Sequence, residues 1–74
     1  MDERLDYVYV IERADDGAYW AYLPDLPGCT TTADSMEEIE TNLKEAVALY
    51  LSHYRDRGLP IPPARSRVGT LSAA

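Results

Sequence analysis

The sequence holds one cysteine, one histidine, one tryptophan and no phenylalanine in 74 residues. A lone thiol, Cys29, cannot close an internal disulfide, and with a single imidazole, His53, there is no plausible cluster of metal ligands. Disulfide scaffolds and zinc folds are excluded. The longest uncharged stretch, 46–54, is far too short to cross a bilayer. The opening Met-Asp-Glu-Arg-Leu-Asp carries acids where a secretory leader needs positive charge and then an apolar run. A cytoplasmic protein is expected. No glycine-rich phosphate loop occurs, and no cofactor is expected.

Bases are scarce as well, with 7 Lys and Arg against 13 Asp and Glu and a net charge of −6. The imbalance is local: 12 acids and 3 bases lie in residues 1–45, and 1 acid and 4 bases lie in 46–74, giving −9 and +3. An acidic surface repels phosphate backbones and speeds encounter with basic proteins, so direct nucleic-acid binding is disfavoured and a basic protein partner is favoured. Simple solubility is the plainer account of the same charge.

Length restricts the chain to a single domain, 1–74. A chain of this size buries only about 60% of the surface it exposes when open, which is marginal for a lone monomer and favours self-association.

Residues 5–13 are β-branched and aromatic with a partial period of two, and they run into Ala14-Asp15-Asp16-Gly17. Gly17 can supply the positive φ of a type I turn with a bulge, setting Ala14 opposite Ala18 and making 18–24 the returning strand. Paired residue numbers then sum to 32, whereas a two-residue turn at Asp16-Gly17 would regroup the faces and still leave large apolar side chains on both. One face carries Tyr7, Tyr9, Ile11, Tyr19, Ala21 and Leu23, and the other carries Val8, Val10, Trp20 and Tyr22. Both faces are apolar. The face with Tyr9, Ile11, Ala21 and Leu23 is expected to meet the helix, because small Ala21 permits close approach.

Pro24-Asp25-Leu26-Pro27-Gly28 reads as an ordered corner, since its prolines cannot donate ladder hydrogen bonds, and Cys29 to Thr32 fits a short third strand. Asp34-Ser35-Met36-Glu37-Glu38 is a capping box, with Ser35 accepting a backbone N–H and Glu38 reaching back. A helix over about 36–57 follows. Its apolar stripe is Met36, Ile39, Leu43, Ala46, Val47, Tyr50 and Tyr54, widened by Leu49 and Leu51, and Gly58 can close it in the left-handed region. The proline-rich 59–63 reads as a stiff linker, residues 65–71 as one last short strand, and the final Ser-Ala-Ala as frayed. The order β-β-β-α-β describes an α+β domain with a mixed four-stranded sheet packed on one helix. One helix covers one face of a sheet, so Val8, Val10, Trp20 and Tyr22 are the candidate self-association surface of a homodimer or higher oligomer.

Asp25, Asp34 and Glu38, flanking a short strand, are the candidates for a carboxylate metal site of the kind nucleases use. Turn and cap roles account for them more simply. Cys29 as a nucleophile needs a base, and His53 lies about five turns into the helix, so a buried structural thiol is the better reading. Trp20 and Tyr22 are protein-binding anchors or second-core residues rather than stacking platforms for bases, because the surrounding acids oppose phosphate.

Pro24-Asp25-Leu26-Pro27-Gly28-Cys29, then Asp34-Ser35-Met36-Glu37-Glu38, then Gly58-Leu59-Pro60-Ile61-Pro62-Pro63, preceded by the hairpin Asp16-Gly17-Ala18-Tyr19, resemble the HicB antitoxin family from about Tyr7 to Pro63. Ala33 stands where that family usually has glycine. The resemblance implies a partial ribonuclease H-like fold with the last strand beside and parallel to the first. It also implies no catalysis, and a partner that is a small, basic, mRNA-cleaving toxin of the HicA type. A short form without a C-terminal DNA-binding domain is expected. Asp25, Leu26, Asp34, Glu37 and Glu38 are the candidate toxin-binding residues, with an orphan structural or ligand-binding domain as the remaining alternative.

Overall fold

The computed structural model describes residues 6–73, so the expected start of the first strand at Leu5 and the frayed end at Ala74 lie outside the described residues. Three strands and one helix follow in order: β1 (Val10–Arg13), β2 (Tyr19–Tyr22), β3 (Thr30–Ala33) and α1 (Met36–Asp56). The strands form an antiparallel sheet in the order β1-β2-β3.

The hairpin follows the expected register, with Val10 opposite Tyr22 and Ile11 opposite Ala21, every pair summing to 32. Gly17 has φ +91°, Ala14 N–H donates to Ala18 at 2.8 Å and Gly17 N–H to Ala14 at 3.0 Å, as a type I turn with a bulge requires. The paired strands are shorter than the apolar runs suggest. In this register residues 6–8 would face 24–26, where the Pro24–Pro27 corner turns the chain away, so pairing of the first strand begins only at Val10.

The corner is two consecutive turns, closed by Leu26 N–H on the Leu23 carbonyl (3.1 Å) and Cys29 N–H on the Leu26 carbonyl (3.0 Å). It folds Leu26 inward until the residue is fully buried. Ala33 sits in the ladder opposite Tyr19 with an ordinary negative φ, so the alanine where the family resemblance leads one to expect glycine is accommodated as strand.

The helix begins as its capping residues dictate, with Ser35 Oγ accepting the Glu38 N–H at 3.2 Å. The reciprocal bond from the Glu38 side chain is not formed among the described residues. At the other end Gly58, at φ +65°, donates to the Arg55 carbonyl and Leu59 to that of Tyr54, the paired bonds of a Schellman motif. Ile39, Leu43 and Leu51 are buried against Ala21, Leu23, Leu26 and Cys29, so the helix covers the Ala21 face of the sheet as expected. The ends and rim of its stripe are looser. Met36 and Leu49 are exposed.

The fourth strand is the main departure. Residues 59–73 carry no strand, so the described sheet is three-stranded and antiparallel, not four-stranded and mixed. Two physical causes are visible. Pro60, Pro62 and Pro63 have no N–H to donate, and the amides of Arg65 and Ser66, where the strand was expected to begin, donate instead to the Asp25 carboxylate. Beyond that point the segment has no regular secondary structure and is exposed.

Candidate partner-binding surfaces

The ends of the strands sort the charges. The β1–β2 turn and the end of β3 lie at the same end of the sheet, because Arg13 pairs with Tyr19 and Tyr19 with Ala33. Asp15 and Asp16 of the turn therefore share an end with Asp34, Glu37 and Glu38 at the start of α1, all of them exposed. Sequence reasoning missed Asp15 and Asp16 as members of this patch, having assigned them only to the turn. The hairpin register was the signal that could have found them. The glutamates also suit the positive end of the helix macrodipole. Farther along α1 the exposed Glu40 accepts the Tyr9 hydroxyl at 3.2 Å, and Asn42 donates to the Thr32 carbonyl at 3.1 Å, fastening α1 over β3.

Asp25 lies at the opposite end, beyond the start of β3. Four strand residues, at roughly 3.3 Å each, stand between the corner and the helix cap. The expected grouping of Asp25 with Asp34 and Glu38 is therefore not realised. Among the described residues no group of three His, Cys, Asp or Glu side chains is placed to hold a metal ion.

Asp25 has a different task. Its Oδ2 accepts the N–H groups of Arg65 (2.8 Å) and Ser66 (2.9 Å), and its Oδ1 accepts the Ser66 hydroxyl at 2.7 Å. Tyr7 adds a second tie by donating its hydroxyl to the Pro62 carbonyl. The backbone and side-chain bonds from Ser66, helped by the Arg65 amide and charge, hold the Asp25 carboxyl below its ordinary pKa. Both oxygens of the Asp25 carboxylate are engaged within the chain, and Leu26 has no exposed surface. Nothing in the local sequence announces a bond spanning 40 residues.

The clasp is testable by acid. A depressed pKa contributes stability above the free carboxyl's pKa and loses it as pH falls through the folded value. Amide exchange at Arg65 and Ser66 should therefore accelerate as the solution is acidified below about pH 4, relative to exchange in the helix. Asp25→Asn should show fast exchange at neutral pH, and slow exchange in that variant would exclude the clasp.

Cys29 is buried, and burial pushes its thiol pKa up, which opposes thiolate chemistry. One expectation about it needs correction. Cys29 and His53 line the same shallow groove of about 220 Å³, with Thr30, Ala46 and Tyr50. The helix runs back across the sheet, and Tyr50 donates its hydroxyl to the Pro27 carbonyl at 2.8 Å, so five turns of helix bring His53 toward the corner instead of away from it. The Tyr50 and Tyr54 hydroxyls lie 3.5 Å apart, and this hydrogen bond, with burial, pushes the Tyr50 pKa up to about 12.

The face away from the helix carries an apolar surface. Trp20 and Tyr22 stack with ring centroids 5.2 Å apart, and with Pro24, Pro27 and Thr30 they border an open groove of about 400 Å³. Val8 and Val10 are half-buried and Trp20 is exposed.

Comparison with known proteins places this arrangement. No solved structure matches the chain significantly. A UPF0150 protein of Archaeoglobus fulgidus is 45% identical over 47 residues, covering 64% of this chain and 68% of that one. A UPF0150 protein of Synechocystis is 39% identical over 60 residues, covering 77% and 83%. An uncharacterized 14.9 kDa protein of Haemophilus phage HP1 is 38% identical over 45 residues, 61% of this chain and 33% of its own length. The family described as HicB-like antitoxin of bacterial toxin-antitoxin systems matches residues 7–74, which takes in the hairpin, the corner, the capped helix and the clasped tail together, and the chain belongs to that family.

Proposed function

We propose that the protein is a non-enzymatic cytoplasmic antitoxin that binds and neutralises a small, basic, mRNA-cleaving toxin of the HicA type. The match to the antitoxin family across residues 7–74 carries this reading. The charge distribution supports it, because the exposed acids at the hairpin turn and helix start would steer a basic protein toward that end of the sheet. Asp34, Glu37 and Glu38, joined by Asp15 and Asp16, form the polar toxin-facing patch in this reading. In this reading the β-β-β-α order is compatible with the partial ribonuclease H-like fold that the family resemblance implies. No helix is long and apolar enough to cross a membrane among the described residues.

Calorimetry with a small basic toxin of the HicA type tests the proposal. Saturable binding should accompany loss of mRNA cleavage. A toxin that neither binds nor loses activity in excess of this protein would refute it.

The sheet face opposite the helix is the proposed surface for self-association, through Val8, Val10, Trp20 and Tyr22. Trp20→Ala should weaken association by about 2 kcal/mol, as expected for a central aromatic anchor. Sedimentation velocity at micromolar concentration reads the change. An unaltered oligomer in Trp20→Ala combined with Tyr22→Ala excludes this face.

A further inference from the structure

The segment beyond the Asp25 clasp has no regular secondary structure, and its apolar side chains are open to solvent, Val68 at 68% and Leu71 at 98% of their full exposure. Unlike 60–63, residues 67–73 contain no proline, so each amide beyond the clasp can donate to a strand ladder. The sheet meanwhile has an open edge. β1 pairs only with β2, and among the described residues no hydrogen bond reaches its outer side. The β3 edge differs, because Asn42 already occupies the Thr32 carbonyl. An unpaired strand edge and an unpaired, exposed arm on one chain are complementary in backbone chemistry.

We propose that residues 67–73 of one copy of this chain add as a strand to the free edge of β1 in a second copy. The clasp holds residues 65 and 66 at the Asp25 corner, and the arm that leaves it makes no pairing with its own sheet. Side-chain alternation suits the addition. Val68 and Leu71 have opposite parity, so one falls on each face of the receiving sheet, and both faces of this sheet are apolar. Charge suits it as well: Arg65 and Arg67 introduce the arm, while Asp6 and Glu12 are exposed on the first strand segment. The surface of the chain, 6019 Å², exceeds the roughly 4600 Å² expected of a compact domain of this mass, and the exposed arm contributes to that excess. The added strand would use a different part of the sheet from the Trp20 face.

The test uses the full chain, with Gly69→Pro as the variant. Proline removes a ladder donor in the middle of the arm, and the position is exposed with nothing within 4 Å of an added Cβ, so helix content should stay as in the parent. Sedimentation should show association weakened about tenfold or more. In a mixture of isotope-labelled and unlabelled parent chains, isotope-filtered spectra should give contacts from the Val68 and Leu71 methyls to β1 of the other chain. A monomeric parent, contacts confined to one chain, or an oligomer that Trp20→Ala dissociates and Gly69→Pro leaves intact would each overturn the proposal.

Discussion

Replacing Ile39 by alanine should destabilise the protein by about 2–5 kcal/mol, the range for truncating a buried aliphatic side chain to a methyl. Ile39 is fully buried on the first turns of α1 and belongs to the cluster of Ala21, Leu23, Leu26 and Cys29. The lost atoms cannot be replaced from nearby, because Ala21 opposite is already small and the corner is locked by its two turn bonds. The loss weighs heavily in so short a chain. At about 0.05–0.15 kcal/mol per residue, 74 residues give a total stability of roughly 4–11 kcal/mol, so the variant should sit near its unfolding threshold. Urea unfolding checks this through a lowered midpoint at an unchanged slope. Leu49→Ala is the matched control on the same helix. Leu49 is 64% exposed and should change stability by no more than about 0.5 kcal/mol. Equal effects at the two positions would mean that α1 does not pack by its Ile39 side.

The second large effect concerns the toxin. Asp34→Asn combined with Glu37→Lys and Glu38→Lys should slow association with a basic toxin by about 10- to 100-fold at low salt, with a smaller change in dissociation. The sign follows from Coulomb steering, since the substitutions remove and then reverse the field at the end of the molecule that the toxin approaches. Added salt should shrink the difference between parent and variant, because charges more than a Debye length apart are screened. The substitutions also set two positive charges against the helix N-terminus, at up to about 1 kcal/mol each, so helix content is checked first. Asp56→Lys tests location. Asp56 ends α1, about 30 Å from its start, and its reversal should leave the association rate nearly unchanged. Equal slowing by Asp56→Lys would point to overall charge instead of a patch.

Much of this architecture was legible because its signals are local. The φ required at Gly17, the Ser35 cap, the Gly58 stop and the alternation of small and large residues around Ala21 each act over a few residues, and all four appear where the sequence places them. The register followed from one turn, since a two-stranded ladder has a single free parameter once its loop is set. The candidate site was legible only in part. Asp34, Glu37 and Glu38 were readable as exposed acids near a helix start, because a capped N-terminus exposes its first turn.

Amino-acid sequence alone determined the order β-β-β-α, the helix limits to within a residue and the face that α1 covers, and it favoured the hairpin register that the ladder selects. Tertiary structure decided the rest, and in each case the deciding contact joins residues far apart in the chain. Asp25 became a clasp because the tail returns to it across 40 residues, and the same bonds took the amides that a fourth strand would have begun with. Leu26 became core because two turns in series rotate it inward. Asp15 and Asp16 joined the acids of the helix start because the β2–β3 ladder brings their ends together. Periodicity reports which side of an element is apolar. It carries no record of which hydrogen-bond donor, among several within reach, a carboxylate will capture when the chain folds back on itself.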